Sequence, residues 1–587
     1  MNNRWLDGSE LRIGLGCMRL STEQGRDEVV ARETIAAAVG AGVTVFDTAH
    51  AYGRDESELG HNERLLADAL RRCEGDRTAR IVTKGGMTRV GGAWVPDGRA
   101  KAIFRDCEAS LAALGGLQID LYLIHAPDPR TPWRTSLRAL ARLLDEGVVR
   151  RVGVSNVNRR QLDEALEIAP ISAVQVALSV SDDTALRGGV VDRCAEVGIA
   201  LIAHSPLGGP RRARALPQNE PLAHAAAAHG VTPAEAALGW LLGLASIVVA
   251  IPGARRPEAV RSAARAARLV LDAGQQADVA SALSVRPTAS TRARRKTARA
   301  GAEVVLVMGI PGAGKSVLAQ GYAADGYHRL NRDERGGKLR GLADALDAEL
   351  SSGAERVVLD NTYLTRAARS YVVDVARRHG VPTRCVWLDI PLAQAQINLV
   401  ERLLERFGAL PTPEELRRRN RREPGLLFPT SQMRAGRELE PPSIDEGFAA
   451  VERRPFMRAP WTHRTGAAVF VAAGVLRSAD WRGLVEQADP RAPHLLFDWI
   501  PDGGPEALDP LRAALGTAVS GPVEQACCPH GGGPPTCWCR PPLPGLPLAF
   551  ASRHGADPER STLIGTGAAH RTLARSLGAR YVSAGGH

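Results

Sequence analysis

The segment Gly309-Ile310-Pro311-Gly312-Ala313-Gly314-Lys315-Ser316 limits what this chain can fold into more than any other. It follows an apolar run, Glu303-Val304-Val305-Leu306-Val307-Met308, that reads as a buried parallel strand, and the residues after Lys315 read as a helix. Strand, glycine turn, Lys and Ser in that order predict a phosphate-binding loop at a helix N-terminus. The backbone N–H groups around Gly309, Gly312 and Gly314 would cradle the phosphates of ATP, Lys315 would reach the outer ones, and Ser316 would hold Mg²⁺.

The chain has 587 residues, ample for roughly four domains with separate cores. Its nine cysteines are mostly scattered, and no apolar signal segment follows Met1-Asn2-Asn3-Arg4, so a reducing cytoplasm is expected. No stretch approaches ~18 uncharged apolar residues, which argues against a membrane span. The formal net charge of +11 suits a polyanionic partner, although Arg-rich solvated surfaces produce the same number. Nothing in the sequence fixes the oligomeric state.

Ahead of the loop, short apolar runs alternate with amphipathic stretches. Candidate strands are 12–16, 44–48, 80–83, 120–125, 150–155, 173–178, 200–204 and 246–251. Roughly eight βα units in roughly 270 residues predict a (β/α)₈ TIM barrel, whose active sites lie just beyond the C-terminal ends of the strands. The chemically informative residues fall there: Asp47 and Tyr52 in Phe46-Asp47-Thr48-Ala49-His50-Ala51-Tyr52-Gly53, Lys84 in Val82-Thr83-Lys84-Gly85, and His125 in Leu123-Ile124-His125-Ala126-Pro127. Any one of them alone could merely satisfy a loop; four at strand ends point to a site.

These motifs resemble the aldo-keto reductase family over essentially the whole first half. The resemblance implies an NADP(H)-dependent oxidoreductase acting on a small carbonyl compound, with Asp47, Tyr52, Lys84 and His125 as the catalytic set. A carbonyl that accepts hydride must also accept a proton, and a tyrosine with a pKa near 10 gives one up poorly unless a cation stabilises its phenolate. Lys84 would be that cation, Asp47 would fix it, and a neutral His125 would orient the carbonyl oxygen. The family pattern further implies that Ser155, Asn156 and Gln175 hold the nicotinamide amide. Ser205, in Ser205-Pro206-Leu207, would hold the pyrophosphate, and Arg255 and Arg261 the 2′-phosphate. Two departures stand out. Ser179 replaces the usual Asn, and the Glu-Asn pair expected at Ser262-Ala263 is missing, a pattern that also fits a barrel serving as an NADP-sensing regulatory module.

A basic linker, 286–301, separates this barrel from the loop domain; it is either a solvated tether or a nucleic-acid contact. In the middle domain, His328-Arg329-Leu330-Asn331-Arg332-Asp333 reads as a short strand ending in a carboxylate, and Val357-Val358-Leu359-Asp360-Asn361-Thr362 as a second apolar strand. Together with Leu439-Glu440-Pro441-Pro442 and Pro455-Phe456, these segments resemble the kinase domain of the polynucleotide 5′-hydroxyl kinases. The likeness implies Asp333 as general base, Arg332 or Arg335 on the acceptor phosphate, Asp360 and Asn361 near the substrate, and a nucleic acid with a 5′-OH end, RNA or DNA, as partner. Gly336 stands where some members carry Arg. A lid arginine, Arg402 or Arg406, would neutralise the transferring phosphoryl group unless it pairs with Glu401 or Glu405. Arg417-Arg418-Arg419-Asn420-Arg421-Arg422 is a phosphate-tracking patch or an ordinary basic helix face.

Beyond residue 460, Ala467-Ala468-Val469-Phe470-Val471-Ala472-Ala473-Gly474-Val475-Leu476 resembles the first motif of the haloacid-dehalogenase-like (HAD-like) phosphatases, with Val471 and Ala473 where the aspartate pair belongs. Val cannot attack phosphorus and Ala cannot bind Mg²⁺, so an inactive pseudo-phosphatase is expected. Cys528, His530, Cys537 and Cys539 have spacing suited to a closed, structural tetrahedral Zn²⁺ site, which recurs in one branch of that family. A fold kept without its chemistry would serve to dock on the kinase or on nucleic acid.

The expected architecture is therefore an α/β multidomain chain: barrel at 1–285, linker at 286–301, P-loop parallel-sheet domain at 302–460 and HAD-like tail at 461–587. The functional expectation is a reductase joined to a nucleic-acid end-repair kinase. The alternative is a metabolite kinase fused to a reductase.

Overall fold

Alternation of side chains along eight short strands builds the N-terminal half of the computed structural model. The structure describes residues 5–282, 301–420, 423, 425–455, 463–478, 480–533 and 535–584. The linker core 287–296, Arg421, Arg422 and Phe456 lie outside the described residues. The chain divides into two compact units, one formed mainly by the N-terminal half and the other by the segments that follow.

The first unit contains β1 (Gly14–Gly16), β2 (Val45–Asp47), β3 (Arg80–Gly85), a hairpin of β4 (Met87–Val90) and β5 (Ala93–Pro96), then β6 (Ile119–Ile124), β7 (Val152–Ser155), β8 (Ile171–Ala177), β9 (Ala200–His204) and β10 (Val248–Ile251). The parallel sheet runs β1-β2-β3-β6-β7-β8-β9-β10, and a parallel bridge between Ile13 and Ala250 joins its two ends. Val45, Val82, Leu121, Ala173 and Ile202 pack together inside, with Trp5 against them. Their strand neighbours Phe46, Ile81, Tyr122, Val174 and Leu201 join the layer beneath the helices. This period of two makes a barrel with a filled interior, each buried side chain contributing roughly 1.5–3 kcal/mol. Close strand approach requires Gly153, where a Cβ would stand 2.3 Å from the Ala173 carbonyl oxygen. Observed strand ends differ from the expected ones by a residue or two, because periodicity does not encode where a ladder stops.

The second unit carries two five-stranded parallel sheets. One has the order β12-β13-β11-β14-β15, from β11 (Glu303–Met308), β12 (His328–Leu330), β13 (Arg356–Asp360), β14 (Thr383–Asp389) and β15 (Ala450–Pro455). The other has the order β18-β17-β16-β19-β20, from β16 (Val469–Ala472), β17 (His494–Trp499), β18 (Val523–Cys528), β19 (Thr562–Gly565) and β20 (Arg580–Ser583). One apolar cluster spans this last sheet and the Leu392–Phe407 helix, uniting Leu399, Val400, Leu403 and Leu404 with Phe470, Phe497, Trp538 and Phe550.

The expected strand through Asp333 is corrected. β12 stops at Leu330, and the Asn331 side chain accepts the N–H groups of Asp333 (2.7 Å) and Glu334 (3.3 Å). Such a cap starts a helix, so Asp333 sits in the first turn of a four-residue helix rather than at a strand end.

Candidate functional site

The barrel's ionisable residues converge where β2, β3 and β6 end. The Lys84 ammonium is 1% exposed and donates three hydrogen bonds: to Asp47 Oδ1 at 2.7 Å, to the Thr48 carbonyl at 2.8 Å and to Tyr52 Oη at 3.1 Å. Burial pulls its pKa down, but Asp47 and Tyr52 outweigh that pull and the net shift is upward. Burial pushes the Tyr52 phenol up to about 12, against the opposing pull of Lys84. The phenol is thus held protonated, and the cation limits the rise rather than reversing it. Burial holds His125 well below the ordinary imidazole value, and Lys84 adds to the effect, so the ring is neutral. The ring meets Tyr52 edge-on, centroids 5.6 Å apart.

A cleft of about 510 Å³ extends from Asp47, Tyr52 and His125 past Asn156, Gln175 and Ser205 to Ser262 and Ala263. Gln175 donates to Asp47 Oδ1 at 2.7 Å, and Asn156 donates to the His125 carbonyl at 3.0 Å and to Ser155 Oγ at 3.1 Å. Arg255 is paired with Glu23, and Arg261 is exposed on α2 (Pro257–Ala266) without lining the cleft. At the end where the Glu-Asn pair is missing, Glu235 of α1 (Pro233–Gly243) supplies a carboxylate held by Ser262 Oγ (2.9 Å) and Arg265 (2.8 Å).

The sequence reading missed Glu235, His204 and Trp94. His204 bridges the Asn156 and Ser205 side chains at 3.1 and 3.2 Å. Trp94, on the hairpin, stands edge-on to both Tyr52 and His125 with centroids 6.0 Å away and is covered by the Arg89 guanidinium. A period-two run beside a Gly-Gly pair, Thr88–Trp94, was the available signal for that hairpin.

In the second unit, Gly309, Gly312 and Gly314 all adopt positive φ between β11 and α3 (Lys315–Ala324). Gly312 is obligatory: a Cβ there would lie 2.4 Å from the Ala395 carbonyl oxygen. The Lys315 ammonium turns back on its own loop and donates to the Gly309 (3.0 Å) and Ile310 (2.9 Å) carbonyls. Burial lowers its pKa to about 8, Asp360 and Asp333 opposing and Arg402 reinforcing that shift. Ser316 is exposed at the head of the helix. Asp360 ends β13 buried, gripped by Arg329 at 3.1 and 3.0 Å, and Asn361 follows it, also buried. Asp333, on α4 (Arg332–Arg335), is exposed and pairs with Arg332 at 2.8 Å; Arg335, two residues on, is also exposed.

The two arginines expected to act as a lid, both on α5 (Leu392–Phe407), differ. Arg406 pairs with Glu423 at 2.6 Å, while Arg402 is the one whose charge acts on Lys315. On α6 (Pro413–Asn420), Arg417 and Arg419 pair with Glu414 and Glu423 at 3.2 and 3.8 Å, so both belong to a charge-balanced face.

In the tail, Val471 and Ala473 are fully buried among apolar side chains. Cys528 Sγ lies 3.6 Å from Cys537 Sγ and 3.5 Å from His530 Nδ1, and Cys539 Sγ lies 3.3 Å from that nitrogen. All four ligand atoms fall within 4.8 Å of one another. Tetrahedral zinc, with bonds of ~2.3 Å to sulfur and ~2.0 Å to nitrogen, separates ligand atoms by about 3.5–3.8 Å, so the donor set fits that ion.

A family model described as the aldo/keto reductase family matches residues 12–284, and one described as an AAA domain matches residues 304–422. The probable aldo-keto reductase 1 of Glycine max is 31% identical over 275 residues, 41% of this chain and 76% of that protein. Among solved structures, a thermostable aldo-keto reductase in complex with the inhibitor epalrestat shares 30% identity over 46% of this chain and 94% of its own (TM-score 0.40). The glycerol dehydrogenase of Gluconobacter oxydans shares 25% over 50% and 97% (TM-score 0.42), and an aldo/keto reductase from Klebsiella pneumoniae, in complex with NADP and acetate, shares 26% over 48% and 94% (TM-score 0.40). Through residues 12–284, with its buried Asp47–Lys84–Tyr52 chain at the strand ends, this protein belongs to the aldo/keto reductase family.

Proposed function

We propose that the barrel is an NADP(H)-dependent oxidoreductase that reduces a small carbonyl compound or oxidises the corresponding alcohol. The observation that carries this reading is the three-way grip on the Lys84 ammonium, which ties the Tyr52 hydroxyl to a fixed cation in the cleft. In reduction, Tyr52 delivers its proton to the carbonyl oxygen, Lys84 stabilises the phenolate left behind, and neutral His125 donates a hydrogen bond to the same oxygen. Gln175, Asn156, Ser155 and Ser205 line or support the stretch that suits the nicotinamide and pyrophosphate; Arg255 would reach a 2′-phosphate only by leaving Glu23, and Arg261 lies outside the cleft lining. NADPH supplies the hydride when bound there.

For the second unit we propose an ATP- and Mg²⁺-dependent kinase acting on 5′-OH ends of RNA or DNA, in nucleic-acid repair. Lys315, whose hydrogen bonds run to neutral carbonyls, suits a phosphate guest, Ser316 suits its Mg²⁺, and exposed Asp333 suits a general base reached by an incoming hydroxyl. Arg402 fits the lid role better than Arg406. The tail reads as a HAD-like pseudo-phosphatase holding structural zinc. The protein should transfer label from ATP to an oligonucleotide bearing a 5′-OH. Asp333→Ala should slow that transfer about 10²-fold with nucleotide affinity unchanged. Transfer to sugars or other metabolites alone would defeat the 5′-end reading in favour of a metabolite kinase.

A further inference from the structure

The metal cluster of the tail and the phosphate loop of the kinase are joined by a short run of contacts. Trp538 stands between two of the ligands, Cys537 and Cys539. Its side chain is 1% exposed, packs in the cluster shared with Leu399, Val400, Leu403 and Leu404 of α5, and donates its indole N–H to the Leu427 carbonyl at 3.0 Å. Leu427 directly precedes Phe428, the N-cap of α7 (Pro429–Glu438), and Gln432 on that helix, fully buried, donates to the Pro311 carbonyl of the phosphate loop at 2.9 Å. The other braced helix, α5, reaches the next loop residue: Asn398 donates to the Gly312 carbonyl at 2.8 Å. It also packs along α8 (Gly545–His554) of the tail, and its Glu401 pairs with Arg464, which leads into the tail, at 3.1 and 2.8 Å.

The glycine stretch Gly531–Gly533, between the first two ligands and the last two, packs against little. No atom beyond the chain neighbours lies within 4 Å of where a Cβ would sit at Gly531, Gly532 or Gly533. Its backbone is tied by Arg540 to the Gly531 and Gly533 carbonyls and by Trp499 to the His530 carbonyl. Four ligands on one ion would supply the missing order, because a bound metal removes conformational freedom that such a loop otherwise keeps.

We propose that the Cys528–His530–Cys537–Cys539 centre is a positioning element of the kinase: a bound metal seats Trp538 between α5 and α7, and those two helices hold the Pro311 and Gly312 carbonyls so that the loop N–H groups face an incoming phosphate. The inference rests on the reading of this unit as a zinc-bearing kinase. Trp538 and Gln432 act through the loop and touch no substrate, so they are positioning residues.

The test uses the full chain and reads two quantities: hydrogen exchange of the amides of residues 309–316 without nucleotide, and affinity for a fluorescent ADP analogue. Wild type with one zinc per chain is compared with chelator-stripped protein, with Trp538→Phe, which keeps the ring and loses the N–H, and with Gln432→Met. Loss of one buried hydrogen bond should weaken binding about tenfold and speed loop exchange comparably. Stripping zinc should do at least as much, and Trp538→Phe should still bind one zinc. Exchange and affinity at wild-type level in both the stripped protein and Trp538→Phe would overturn the proposal, as would a purified chain that binds no zinc. If stripping zinc loosens the loop while Trp538→Phe and Gln432→Met do not, the route through these residues is wrong and the proposal falls. If the protein binds no nucleotide yet loop exchange still answers to zinc, the kinase reading fails and the coupling stands.

Discussion

Two lysines, Lys84 buried in the barrel and Lys315 half-buried in the phosphate loop, are both pulled down by desolvation yet end on opposite sides of the ordinary lysine pKa. Burial is the largest influence on both, and it lowers both. Lys84 recovers because Asp47 lies 2.7 Å away and Tyr52 3.1 Å away. Lys315 does not recover, because its hydrogen bonds run to the neutral carbonyls of Gly309 and Ile310, and the carboxylates of Asp360 and Asp333 only partly compensate. The first site is electrostatically closed before any substrate arrives. The second is only partly balanced by Asp360 and Asp333, and a phosphate guest would bring the rest. What separates the two cations is therefore where the counter-charge resides.

Tyr52→Phe tests the closed site most severely. It removes the proton donor but leaves the Asp47–Lys84 pair, so NADPH oxidation across a panel of reactive aldehydes should drop roughly 10³-fold. NADPH binding, followed by fluorescence, should persist. A wild-type protein that binds NADPH yet turns over nothing on that panel would instead favour a barrel used as an NADP sensor.

Asp47→Asn should turn Lys84 into a lysine like Lys315. Removing one member of a buried pair leaves the other charge uncompensated, at a cost of about 3–5 kcal/mol in denaturant unfolding. The pH dependence carries the sign. In wild type the raised Lys84 pKa contributes stability that is fully present below the unfolded value of 10.5 and fades as pH rises through the folded value. In the variant the folded pKa falls below 10.5, so stability should rise with pH between the two values, where the unfolded chain holds a proton that the folded one lacks. An unchanged pH profile would show that Thr48 and Tyr52 hold the cation without Asp47.

The closed site was the more legible in sequence, because a barrel sends strand ends to one rim and each of Asp47, Lys84 and His125 sits at or just past a strand end. Glu235 was not legible: it reaches the cleft from a helix outside the motif, where it accepts from Ser262 Oγ. The phosphate loop was legible down to its glycines, whereas the supports of that loop were not. Gln432 meets Pro311 across 121 residues and Trp538 meets Leu427 across 111, and neither pairing leaves a local pattern. Asp333 was misplaced because a strand-like His328–Leu330 continues into Asn331, whose capping preference stops the strand there. The Cys528–His530–Cys537–Cys539 set is legible by spacing, but Trp538 within it is not, because a lone aromatic beside cysteines carries no periodicity.

The smallest expected effect sharpens the comparison furthest. With a pKa of about 8, a growing fraction of Lys315 is neutral as pH rises above that value in the nucleotide-free protein. A polyphosphate beside the ammonium adds counter-charge beyond that of Asp360 and Asp333 and raises that pKa, so binding must draw a proton from solvent in the window between about 8 and the bound value. Calorimetry of MgADP binding in buffers of different ionisation enthalpy should show uptake near zero at about pH 7 and approaching one proton at about pH 9, with affinity about tenfold weaker at the higher pH. Lys315→Met should abolish the uptake along with most of the affinity. If wild type takes up no proton at about pH 9, then Asp360 and Asp333 already hold Lys315 charged, and the two lysines differ only in how many neighbours share the work.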